Sequence, residues 1–227
     1  MYSLILLNGG SGRRMGAPQP KQFIKVNGLP ILVYSLVAAD AVPEIDQIVL
    51  NYPEGWRDEV EGIVRDYAIK TPVEYVAAGG TRQDSVAAAL ALCTNDAVVL
   101  HEAARPLVRT ADFARLIGSP ERNVSYMIPI PFTVAPVDPS SRAVTGYLER
   151  ERLRNVQLPQ KFDLADLRQA HAFAAGQETV YTEDATLMAA AGLPVHYIDG
   201  QDTNIKVTTP TDIHLAVSLL HGETDDE

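Results

Sequence analysis

The sequence has a single cysteine, Cys93, in 227 residues. An internal disulfide is therefore excluded, which fits a reducing compartment. Its setting, Ala89-Leu-Ala-Leu-Cys93, favours a buried thiol over a catalytic one. No apolar run approaches the roughly 18 residues of a membrane helix. The opening Tyr2–Leu7 is too short for a secretion signal and no basic stretch precedes it, so the expectation is a soluble cytoplasmic protein without a membrane partner. Acidic residues are missing from one region only: residues 1–39 contain no Asp or Glu, and the first acid is Asp40. Over the whole chain 29 acids face 19 Lys and Arg, a net charge of −10, which argues against nucleic acid or an anionic membrane as partner. The acid-free segment carries Arg13, Arg14, Lys21 and Lys25. Such asymmetry reads as a local anion site, the alternative being chance within a short window. Two phosphate-binding fingerprints are also missing. From Gly10 and Gly12 the third glycine of a dinucleotide motif would fall on Met15, and no Gly-Lys-Ser/Thr occurs.

What is present points to an α/β fold. Leu4–Leu7, Ile48–Leu50, Val73–Val76 and Ala97–Leu100 are short continuous apolar runs, the pattern of strands buried on both faces. Helical patterns lie between them: 30–41 with Pro30 at its start, 55–69 with Val60, Ile63 and Val64 on one face, and 81–93 with Thr81 and Asp84 as a capping box. That alternation predicts a mostly parallel sheet flanked by helices. A strand at Ser125–Pro131 follows, and residues 132–155 read as a β-hairpin arm with its loop near 138–142. Helices are expected from Asp163 and from Thr182, a strand at Val195–Ile198, and a closing helix marked by Thr209, Pro210 and Asp212. The organisation is a single domain over 1–222, with an acidic tail at 223–227.

Strand 1 runs into Asn8-Gly-Gly-Ser-Gly-Arg-Arg-Met15, with Pro20-Lys21-Gln22 beyond it. A glycine loop lets backbone N–H groups approach phosphate oxygens. Arg13, Arg14 and Lys21 around it suit a triphosphate whose charge grows as pyrophosphate departs; a plain turn with solvated cations is the alternative. Lys206 is the only Lys or Arg in residues 169–227, a stretch with ten acids. It is either a surface charge or a cation aimed at a reacting phosphate. Arg150, Arg152 and Arg154 alternate as they would on one face of a strand. His101 is expected to organise its loop rather than act as a base.

Six segments occur in one order: Gly9-Gly10-x-Gly-Arg-Arg-Met15, Pro20-Lys21-Gln22, Gly79-Gly80, Arg82-x-x-Ser85-Val86, His101-x-Ala-Ala-Arg-Pro106 and Asn204-Ile-Lys-Val-Thr-Thr-Pro210. In this the chain resembles the cytidylyltransferases that act on 2-C-methyl-D-erythritol 4-phosphate, and the related ribitol 5-phosphate enzymes, from about residue 4 to about 220. The resemblance implies a Rossmann-like nucleotidyltransferase fold, CTP as donor, Mg²⁺, a homodimer joined through exchanged arms, and a place in isoprenoid precursor synthesis. It places Arg14, Lys21 and Lys206 as catalytic cations. Asn8, Gly9, Gly10, Gly12, Gly80, Ser85, Ala104 and Arg105 fall on nucleotide-binding positions, although the family usually has Ala where Asn8 and Gly9 stand. Glu102, Thr133, Arg150 and Thr182 fall on acceptor-binding positions, and Glu102 also on the metal position.

The departures concern the acceptor. Glu102 stands where the family has Asp, Phe132 replaces an Asp, and Leu158 replaces a Thr. The implied reaction is transfer of CMP from CTP to 2-C-methyl-D-erythritol 4-phosphate, with ribitol 5-phosphate or another polyol phosphate close behind. A sugar-1-phosphate nucleotidyltransferase using another base, suggested by the short Gly79–Ser85 loop, and a nucleotide-binding regulator without catalysis are the alternatives.

Overall fold

The computed structural model describes residues 1–10, 19–177 and 179–222. Two expected site residues, Gly12 and Arg14, and the acidic tail 223–227 lie outside the described residues. Strand β1 (Tyr2–Leu7) is followed by a 3-10 turn at Lys21–Phe23, a short hairpin of β2 (Lys25–Val26) and β3 (Leu29–Pro30), α1 (Ile31–Asp40), β4 (Ile45–Tyr52), α2 (Arg57–Asp66), β5 (Val73–Ala77), α3 (Arg82–Leu90), β6 (Ala97–Glu102) and α4 (Thr110–Ile117). The chain continues through β7 (Val124–Pro129), β8 (Val137–Asp138), β9 (Ala143–Val144), β10 (Arg154–Asp163), α5 (Leu164–Ala175), α6 (Asp184–Ala190), β11 (His196–Asp199) and α7 (Pro210–Gly222).

Seven strands form one sheet in the order β11-β7-β10-β6-β1-β4-β5. Neighbours among β6, β1, β4 and β5 are parallel. Strand β10 runs antiparallel to both β6 and β7, and β11 is parallel to β7. The alternation of side chains along each strand serves two cores. Leu4 and Leu6 pack with Leu32, Leu36, Val60 and Phe113 on the α1–α2–α4 face. Ile5 and Leu7 pack with Val86, Leu90, Leu167 and Met188 on the α3–α5–α6 face. This is the mostly parallel mixed α/β sheet that the apolar runs predict.

The helix starts follow the capping chemistry with one change. Thr81 Oγ1 accepts from Asp84 N, and the Asp84 carboxylate accepts from Thr81 N. Asp163 caps α5 through Asp166 N, and Asp212 accepts from the N–H groups of Thr208 and Thr209 at the start of α7. Helix α6 does not start on Thr182: Glu183 is its N-cap, accepting from Asp184 N.

The sheet also holds a strand that the sequence hides. β10 lies between β6 and β7 although it contains Pro159. Its pairing with β7 shifts register between Gln157 and Gln160, and the bond Leu158–Pro159 is cis. The irregularity takes the proline out of the ladder, as a residue without N–H requires. Between β7 and β10 the chain leaves the sheet as the expected arm. Its hairpin is small, two residues on each side. Arg150 and Arg152 sit in a 3-10 turn, not on a strand, so the three arginines do not share a strand face. Arg150 pairs with Glu151, Arg152 with Glu149, and Arg154 lies over the Tyr197 ring.

Candidate active site

The carboxyl ends of parallel strands are where an α/β sheet offers a crevice. Here β1, β4, β5 and β6 end around a cleft of about 1020 Å³. Its walls carry Asn8, Gly9 and Gly10 after β1, Gly79 and Gly80 after β5, Ser85 in α3, Glu102 at the end of β6, Ala104 beyond it, and Lys21 and Lys206. Most of the expected nucleotide residues thus come together, from segments far apart in the chain.

Close packing builds the glycine wall. A Cβ on Gly9 would overlap the Ala78 methyl, and one on Gly79 would overlap the Asp84 side chain. Both positions therefore need glycine for space. Ser85 Oγ accepts from Gly79 N at 3.0 Å and donates to Thr81 O at 2.9 Å, fixing the β5–α3 loop. Gln22 donates to the Asn8 carbonyl, tying the 3-10 turn to the end of β1.

The two lysines are held by one segment. Lys21 Nζ donates to Val207 O at 2.6 Å, and Lys206 is the residue before. That segment is fixed in turn: Val207 N donates to Ala104 O, Asn204 Nδ2 to Leu158 O at 2.6 Å, and Arg105 to Asn204 O at 2.7 Å. Arg105 does not line the cleft; it braces the Lys206 segment from behind. Burial, the largest influence on it, lowers its pKa.

Glu102 is the pivot. Its Oε2 lies 2.6 Å from Lys206 Nζ and its Oε1 3.2 Å from Arg82 Nε. Burial opposes its charge, but Lys206 and Arg82 outweigh burial and bring its pKa down to about 2. Arg82 also contacts Asp184, and Glu183 at 3.5 Å. Its own pKa rises, because those three carboxylates outweigh its desolvation. The buried Asp184 is held acidic by Arg82 and by His171, whose Nε2 is 2.9 Å away, against the cost of burial. Glu183 moves the other way, raised by burial. The sequence reading missed this cage around Arg82. Nothing local reveals it, since its members come from α3, β6 and the start of α6.

His101 is fully buried, with its Nε2 3.4 Å from Arg105 O and its ring edge-on to Phe113. Burial depresses its pKa to about 3, so it is neutral at pH 7. It organises the loop and reaches no cleft surface. Thr133, Arg150 and Thr182 are exposed and do not line the cleft of this chain. Of the three departures on the acceptor side only Glu102 lies in the cleft. Leu158 is 1% exposed and belongs to the second core, and Phe132 is 78% exposed on the arm. No group of three His, Cys, Asp or Glu that could cage a metal occurs among the described residues. Nor is any helix among them long and apolar enough to cross a membrane.

The comparisons with known proteins agree with this geometry. The model of the 2-C-methyl-D-erythritol 4-phosphate cytidylyltransferase family matches residues 2–222. The Bacillus cytotoxicus protein of that name is 36% identical over 97% of this chain and 98% of its own length. The Syntrophus aciditrophicus protein of the same name is 35% identical, over 96% and 95%. Among solved structures, 4-diphosphocytidyl-2C-methyl-D-erythritol synthase of Anaerococcus prevotii superposes with a TM-score of 0.85 at 27% identity, covering 97% of this chain and 96% of that one. The 2-C-methyl-D-erythritol 4-phosphate cytidylyltransferase of Thermus thermophilus does so with a TM-score of 0.77 at 29% identity, covering 97% and 100%. With a match that spans both halves of the sheet and the whole cleft wall, the chain belongs to the 2-C-methyl-D-erythritol 4-phosphate cytidylyltransferase family.

Proposed function

We propose that this chain transfers CMP from CTP to 2-C-methyl-D-erythritol 4-phosphate, a step of isoprenoid precursor synthesis. A phosphate oxygen of the acceptor attacks the α-phosphorus of CTP. The new O–P bond forms as the bond from that phosphorus to the oxygen bridging to the β-phosphate breaks, and pyrophosphate leaves with the electron pair. The attacking oxygen is already ionised near pH 7, so no general base is required. The work left to the protein is positioning and stabilisation of charge. One observation carries the reading: Lys21 and Lys206, distant in sequence, are fixed to one short segment at the mouth of a glycine-walled cleft. Two ammonium groups held in place before substrate arrives need no reorganisation as charge develops on the phosphates.

Mg²⁺ is part of this reading. Among the described residues the cleft offers one buried carboxylate, Glu102, whose two oxygens already rest on Lys206 and Arg82, so a hard cation here would be held mainly by phosphate oxygens and water. Such an ion would neutralise phosphate charge; the chain's own part is to orient the triphosphate with the glycine loop and the lysines. Arg14 is proposed as a third cation on the triphosphate.

The acceptor reading is supported by where the departures fall. Leu158 fills the core and Phe132 lies out on the arm, so of these three acceptor-side departures Glu102 alone lines the cleft. Thr133, Arg150 and Thr182 are proposed to reach an acceptor only in a homodimer. The exposed Phe132, Val137, Val144 and Tyr147 of the arm supply apolar surface for a second copy.

The test is pyrophosphate release with CTP, Mg²⁺ and a panel of polyol phosphates. Turnover highest with 2-C-methyl-D-erythritol 4-phosphate supports the assignment; preference for ribitol 5-phosphate would replace it. Lys206→Ala is expected to abolish turnover while melting within a few degrees of the wild type, and near-normal turnover would reject its role.

A further inference from the structure

Asn8 combines three properties that are rarely found together. It lines the cleft at the end of β1. It is 3% exposed. Both polar atoms of its side chain, Oδ1 and Nδ2, are buried and have no hydrogen-bond partner among the described residues. A buried amide with neither end satisfied is costly, and such groups are few in a folded protein. Two donors of the surrounding described segments are engaged elsewhere. Gln22 Nε2 is spent on the Asn8 backbone carbonyl, and Gly79 N donates to Ser85 Oγ.

We propose that the Asn8 side-chain amide binds the nucleoside half of the nucleotide, its NH₂ donating to an acceptor and its oxygen accepting from a donor on one polar edge. The inference rests on the assignment of this cleft to a nucleoside triphosphate. The chemistry of the amide then selects which half it meets. Ionised phosphate oxygens accept hydrogen bonds and have none to donate, so a triphosphate could satisfy Nδ2 but never Oδ1. The nucleoside carries donors and acceptors side by side. The N3 and N4–H₂ edge of cytosine is one such pair, and the ribose hydroxyls are another. Either one would satisfy both atoms, so Asn8 is a binding residue for the base or the sugar and not for the phosphates.

The experiment is calorimetric titration of wild type and Asn8→Ala with CTP, CMP and pyrophosphate. Two buried hydrogen bonds lost together predict CTP and CMP binding weaker by about tenfold or more, with pyrophosphate binding unchanged. The unliganded variant is expected to melt at or above the wild-type temperature, because it no longer buries an unsatisfied amide. Asn8→Ser is the second variant should alanine fail to fold, and it is expected to weaken CTP less than alanine does. Titration with dCTP separates the two sources. An undiminished effect of Asn8→Ala on dCTP assigns the contact to the base; loss of the effect assigns it to the 2′-hydroxyl. Equal CTP affinity in wild type and variant would overturn the inference, as would a loss for pyrophosphate equal to that for CTP. Absence of CTP binding by the wild type would instead overturn the reading of the cleft.

Discussion

Arg82 is the side chain whose removal the structure makes most consequential outside the lysines. It faces Glu102 at 3.2 Å, Glu183 at 3.5 Å, and Asp184, all of them largely buried. Replacing it by Met preserves volume and deletes the cation. Breaking a buried pair by removing one partner costs about 3–5 kcal/mol, because the other charge remains uncompensated. Three carboxylates lose a partner here, which pushes towards the upper end. Glu102 keeps Lys206 and Asp184 keeps His171, which pulls back. A loss of about 4 kcal/mol at pH 8 is therefore expected for Arg82→Met. The loss depends on pH in a definite direction. In the wild type Glu102 is more acidic folded, at about 2, than unfolded, so its contribution is present above pH 4.5 and fades as pH falls towards 2. Without Arg82, Glu183, whose pKa burial already raises, loses the cation that lowers it and takes up a proton more readily than the unfolded chain does, so lowering the pH relieves the variant. The difference between the proteins must then shrink between pH 8 and pH 4.5. Urea unfolding of both at the two pH values measures it. A difference below about 1 kcal/mol at pH 8, or one that stays constant, would mean that the cage is not an electrostatic unit.

Two further predictions follow from packing and from burial. Gly9→Ala is expected to destabilise by about 1–3 kcal/mol through overlap with the Ala78 methyl, and Ala78→Gly in the same chain should recover most of it; strictly additive effects in denaturant unfolding would show that the two positions do not collide. His101 stays neutral in the fold down to about pH 3 whereas in the unfolded chain it protonates near the ordinary histidine value of 6.5, so the unfolded state gains a proton first and stability falls as pH drops from 6.5 towards 3; unfolding curves of wild type and His101→Gln over that range should show the steeper decline in the wild type.

The parts of this fold that could be read in advance are those where one physical preference acts alone. Leu4–Leu7 and Ala97–Leu100 are continuous apolar runs because parallel strands are buried on both faces, and both are central strands of the sheet. The capping box at Thr81 and Asp84 was equally legible, since it needs only four consecutive residues. β10 was not. Proline and a run of polar residues argue against a central strand, yet Gln157, Gln160 and Lys161 are all buried there with partners: Gln201 O, Ser125 Oγ and Ser119 O. Those partners lie in distant segments, so the local pattern had no access to them. The site divides in the same way. Lys206 stood out as the only cation in an acidic stretch, whereas Arg82 became visible only once α3, β6 and α6 were set side by side. The arginines of the arm alternate in sequence as on a strand, but a 3-10 turn carries two of them.

The placement of carboxylates resolves a tension in the charge. Charge repulsion alone would exclude acids from a triphosphate site in a chain of net charge −10, yet Glu102 lines it. Among the described residues, the charged groups on the cleft wall are Lys21, Arg82 and Lys206 against Glu54 and Glu102, so that part of the wall is positive while the whole chain is acidic. Removing Glu102 would not make a better anion site. Its oxygens are what Lys206 Nζ and Arg82 Nε rest on, and a four-carbon ammonium without such a rest is free to point into water. A side chain of that length has on the order of 2 kcal/mol of rotamer entropy to lose when a substrate immobilises it. By holding Lys206 in advance, Glu102 moves that cost from the binding step to the folding step. The geometry thus explains why an acid belongs in this cleft: it weakens the net field slightly and in return fixes the cation on which the field must be centred.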